Sequence, residues 1–169
     1  MGVGQTSGTL PPGFTADHYR GCLGFGSDTF EKATELLRHW QMLRLAWVEP
    51  AWPEATLQEG SMVGTLTHVM GIWSLNVCRI VYVIDEPARF GFAWGTLPDH
   101  TLCGEERFLV EHSSEDGSVW YDLLSFSRPG RIMTRLIYPF ARHLQRRFAL
   151  DSMEAMRRSV AIAVSSQVG

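Results

Sequence analysis

The chain predicts an α+β domain in which a curved antiparallel sheet of about six strands wraps a long C-terminal helix, with one shorter helix near the N-terminus. Three observations predict it. Runs rich in β-branched and aromatic residues are joined by short, turn-rich connections, which makes neighbouring strands antiparallel. Two stretches, one early and one late, switch to apolar residues three and four apart, the spacing of an amphipathic helix. The order of one strand, one helix, several strands and a last helix lacks the βαβ alternation of a parallel sheet.

Residues 1–16 are rich in Gly, Ser, Thr and Pro and read as a flexible tail ahead of a single domain over 17–164, with 165–169 as a short flexible end. HYRGCLG (18–24) reads as a short edge strand. Asp28 with Glu31 three residues on is the pattern of a capping box, and Phe30, Ala33, Leu36, Leu37, Trp40 and Leu43 carry one apolar stripe to about residue 44. Pro50 and Pro53 make 49–60 irregular. SMVGTLTHVM (61–70) and WSLNVCRIVYVID (73–85) read as a hairpin, and residues 80–84, apolar on both faces, place the second strand inside the sheet or under cover on each side. Then come FGFAWGTL (90–97), GEERFLVEH (104–112) and VWYDLLSFSRP (119–129), a meander. From Ile132 the period changes: Met133, Phe140, Leu144, Phe148, Met153, Met156 and Val160 form one stripe, and most arginines fall elsewhere on the wheel.

A chain of 169 residues buries roughly two-thirds of its unfolded surface. A net charge of -3 and a charged content of 20% give no electrostatic case for nucleic acid. The expected partner is a small hydrophobic or aromatic molecule, with a homodimer left open. No apolar run reaches the ~20 residues of a membrane span. Cys22, Cys78 and Cys103 are widely spaced and form no CxxC pair, and no two histidines share a metal-ligand spacing, so neither a disulfide framework, a metal nor another cofactor is expected. The cytoplasm is the expected compartment. A strongly bent sheet on a long helix leaves space that side chains do not fill, and such a cavity is where a small ligand binds.

At FGFAWGTLPDHTLCGEERF, VWYDLLSFSRP and YPFARHLQRRFALDSMEAM the sequence resembles a bacterial and plant family known as domain of unknown function nineteen-ninety, over residues 18–160. That family is similar to the helix-grip superfamily, which includes START lipid-transfer domains, birch-pollen allergen proteins and polyketide aromatase/cyclases. The resemblance implies the same architecture but no reaction, because that superfamily mixes carriers with enzymes. Trp94 stands where the resemblance leads one to expect tyrosine, and Asp99 and Cys103 where it leads one to expect a glycine and a small polar residue.

Ionisable residues threaded through the meander are the candidate site. Alternation sets Glu106 on the face of Phe108 and Val110; an acid in an apolar cavity has a raised pKa suited to proton transfer, unless it pairs with a neighbouring arginine. On the next strand only one of Tyr121 and Asp122 can share that face, and either could act beside Glu106 or serve the fold. His100, at the tip of the 98–103 loop, is a further candidate. His68 alternates with Met62, Gly64 and Leu66, which aims it at the core as a site residue or a buried structural histidine. Arg79 and Arg107, set in apolar strands, hold a ligand's charge or an internal carboxylate. Phe92, Trp94, Phe108, Trp120 and Phe126 are the aromatic candidates for ligand contact. The function expected is binding of a polyketide-like molecule with cofactor-free cyclisation, dehydration or isomerisation in bacterial specialised metabolism; the alternative is a non-catalytic carrier or sensor.

Overall fold

The computed structural model of the chain describes residues 15–97, 102–129 and 134–166. Their order is β1 (Thr15–Phe25), α1 (Ser27–Arg38), a single 3-10 turn (Gln41–Leu43), β2 (Val48–Pro50), β3 (Met62–Val69), β4 (Ile72–Glu86), β5 (Arg89–Thr96), β6 (Leu102–His112), β7 (Ser118–Pro129) and α2 (Thr134–Ser165). The strands form one curled antiparallel sheet in the order β1-β7-β6-β5-β4-β3-β2. The α+β expectation holds in this form, with α2 seated on β1 and β7 and α1 packed beside it.

Curvature has local causes. A Cβ on Gly91 of β5 would lie 2.2 Å from the Phe108 carbonyl oxygen, so only glycine lets β5 and β6 approach this closely. A bulge between Ile80 and Tyr82 bends β4 next to it. On the concave side Trp40, Phe92, Trp94, Phe108 and Phe148 form a ring cluster with centroids 4.8–6.4 Å apart. The inner face of α2 contributes Ala149, Met156 and Val160 to the same core.

Several local expectations fail for identifiable reasons. Helix α1 begins at Ser27 behind Gly26 at φ 87°, with no side-chain cap, so the Asp28 and Glu31 capping box does not form. It also ends at Arg38, because Trp40 takes a left-handed conformation at φ 60° and turns the chain into the 3-10 turn. The 49–60 segment contributes to a seventh strand: β2 pairs Val48, Glu49 and Pro50 with Thr67, Leu66 and Thr65, and Pro50 is tolerated at an edge. The tail 1–14, the 98–101 loop with His100, and 167–169 lie outside the described residues.

Candidate functional site

Between the concave face of the sheet and the first half of α2 lies a cavity of about 490 Å³, a size that suits one small organic molecule. Its walls come from Trp47, Thr65, Thr67 and Val69 on one side, Cys78, Trp94 and Glu106 at the centre, and Ser125 and Ser127 on β7. Phe140, Ala141, Leu144, Gln145 and Phe148 of α2 close the remaining side. At the mouth stand the exposed apolar side chains of Met70, Ile72 and Phe140.

Glu106 is on this wall because β6 pairs with β5 and β7 in a register that sets Glu106 opposite Trp94 and Ser125. All three face inward. The Trp94 indole is locked by Trp40, Phe92 and Phe108, and its Nε1–H donates to Glu106 Oε2 at 3.3 Å. Burial pushes the Glu106 carboxyl up to about 7; the bond from Trp94 opposes this and the negative charge of Asp17 adds to it. Asp17 is itself clamped by Arg142 of α2, whose Nη2 donates to Asp17 Oδ1 at 2.6 Å. Cys78 is the other titratable group at the centre, and burial with the nearby Glu106 pushes its thiol up to about 12. A thiol so protonated is a poor nucleophile at neutral pH.

Tyr121 also faces inward, but beneath the cavity rather than on its wall. It is fully buried and its hydroxyl shares a hydrogen bond of 2.9 Å with Ser152 Oγ of α2; burial pushes its pKa far up. Phe92 and Phe108 likewise belong to the packed core around Trp94.

Asp122 takes the opposite face of β7 and is buried there between Arg107 and His18. Arg107 Nη2 donates to its Oδ1 at 2.7 Å and His18 Nε2 lies 2.6 Å from its Oδ2. The expectation that Asp122 and Arg107 serve the cavity is therefore corrected: they satisfy one another on the convex side. Trp120 shares that side, with its Nε1–H on Ser118 Oγ and Arg20 over its ring. Arg79 and His68 are also on the convex side and exposed, His68 stacked on Trp73 at 4.6 Å. The alternation of β3 runs the other way from the expectation, since Val63, Thr65, Thr67 and Val69 face in.

Glu105, next to Glu106 in the chain, is 4% exposed, with both carboxyl oxygens buried and, among the described residues, no hydrogen-bond partner. Burial pushes it up to about 7. Glu105 and its register partner Phe126 also border the cavity, although alternation turns the Glu105 side chain away from that of Glu106. Two consecutive acids in a strand were the available signal; that both would be buried was not.

A curled seven-stranded antiparallel sheet gripping a long terminal helix around a cavity defines a helix-grip protein. The chain belongs to the family described as Domain of unknown function (DUF1990), which matches residues 1–155. It is 35% identical over 158 residues to a UPF0548 protein of Dictyostelium discoideum, covering 87% of this chain and 73% of that one. It is 37% identical over 153 residues to a UPF0548 protein of Deinococcus radiodurans, covering 84% and 76%. Among solved structures, the ZhuI aromatase/cyclase of a Streptomyces species superposes with a TM-score of 0.60 at 12% identity, over 89% of this chain and 96% of that one. Norcoclaurine synthase of Thalictrum flavum, solved with dopamine and hydroxybenzaldehyde, superposes with a TM-score of 0.53 at 10% identity, over 88% and 87%. At such identities the likeness shows the fold. Among the described residues no helix is long and apolar enough to cross a membrane.

Proposed function

We propose that the cavity binds a small hydrophobic or aromatic molecule and that Glu106 exchanges a proton with it in a cofactor-free cyclisation, dehydration or isomerisation. The observation that carries this reading is the Glu106 carboxyl on an otherwise largely apolar wall, aimed by Trp94 and brought to about 7, where it can both give and take a proton. The aromatase/cyclase and the norcoclaurine synthase of similar fold support it as analogies.

A second reading is a carrier or sensor, and one observation favours it. Tyr121 and Asp122, one or the other of which was the expected partner for Glu106 in proton transfer, are engaged with Ser152 and with Arg107 and His18 respectively. Native mass spectrometry of the purified protein tests both readings. A co-purified small molecule that the protein converts, and that the E106Q variant binds without converting, supports the enzyme; one bound unchanged by both supports the carrier. Absence of any bound molecule, together with no saturable binding of an apolar fluorescent probe, overturns both.

A further inference from the structure

Among the described residues the ionisable groups on the cavity wall are all acidic: they are Cys78 and Glu106, with Glu105 at its border and turned the other way, and none is basic. The Arg147 guanidinium lies over the ring of Trp47 and pairs with Asp151. Among the described residues four other groups interact with Glu106. Trp94 donates to it from β5, and Cys78 faces it from β4 as a neutral thiol. From β7 Tyr121 is kept a phenol by burial and shares a hydrogen bond with Ser152, and from β1 Asp17 is joined to Arg142 of α2. The Arg142 guanidinium is thus engaged by another carboxylate. Around this acid stand the rings of Trp47, Trp94, Phe140 and Phe148.

An anionic ligand entering here meets acids and, among the described residues of the wall, no countercharge. A neutral ligand leaves Glu106 as it is. A ligand cation instead restores the ionised carboxylate in a low-dielectric site and places its charge against aromatic faces. Resting on the reading of the cavity as a ligand site, we propose that its ligand is a hydrophobic amine, bound through its ammonium group to Glu106 with its ring or chain among Trp47, Trp94 and Phe148.

Because the amine binds the ionised form of Glu106, its affinity must rise with pH through about 7, until the amine itself loses its proton near ~10. Three probes with one ring system test this by calorimetry: 2-(2-naphthyl)ethylamine, 2-(2-naphthyl)ethanol and 2-naphthylacetate. The expected result is that the amine binds tightest and the acetate weakest at about pH 8, and that amine affinity falls roughly tenfold or more by about pH 5.5 while alcohol affinity stays level. E106Q should bring the amine down to the alcohol and remove its pH dependence. The pH series uses the unaltered protein, so it decides the matter even where the variant fails to fold. Equal binding of amine and alcohol at about pH 8, or an amine affinity flat with pH, overturns this inference and leaves the cavity reading standing. Binding of none of the three overturns both.

Discussion

Glu106 is set between two opposed influences, desolvation that protonates it and an indole N–H that favours its anion. Removing the second shifts the balance. Trp94→Phe should move the carboxyl's titration midpoint upward from about 7, read by the carboxyl stretch in infrared difference spectra or by the pH dependence of probe binding. Tyr121→Phe should lower stability by about 1 kcal/mol, the usual worth of one buried hydrogen bond, while leaving probe affinity unchanged. Asp122→Ala should lower stability by roughly 3 kcal/mol, since it strands Arg107 on the convex face, again with affinity unchanged. Paired denaturation and binding curves separate these effects. Glu106 was legible because Phe108 and Val110 on its own strand declare the inner face. Asp122 and Tyr121 were not, because Trp120, Leu124 and Phe126 alternate with Leu123 and Val119 and both faces of β7 are apolar. His68 and Arg79 misled for a different reason: their strands carry apolar residues at both parities, so the wet face of β3 and β4 leaves no clear signature in the sequence.

At the scale of elements, the close approach of β5 and β6 at Gly91 curls the sheet, and curl makes the cavity. Gly91→Ala should destabilise by about 1–3 kcal/mol, because the added carbon meets backbone that cannot rotate aside. Thermal melts of the variant check this. Strand count and helix ends were the least legible features. β2 is three residues long and ends in proline, below what periodicity can detect, and it exists only because β3 offers an edge. The stop of α1 depends on one residue, Trp40, whose left-handed backbone is stabilised by ring packing on Phe92 and Trp94 rather than by local propensity. The long helix α2 and the meander β5 to β7 were legible because their apolar periods persist over many residues.

For the molecule as a whole, Glu105 and Glu106 both rise from 4.5 to about 7 on folding. The folded state therefore binds more protons than the unfolded one within that window, and stability falls as pH rises through it. Each carboxyl contributes ~3 kcal/mol to that loss. Urea denaturation between about pH 4.5 and pH 8 should show the decline, and E106Q should remove about half of it. Closure of the fold joins distant parts of the sequence: β1 pairs with β7, and His18 meets Asp122 across 104 residues. Because Arg142 of α2 reaches back to Asp17 of β1, the hollow has no fourth side until the last helix is in place. On the ribosome, then, a growing polypeptide has no vessel to fill until α2 has left the exit tunnel, and ligand capture waits for that helix.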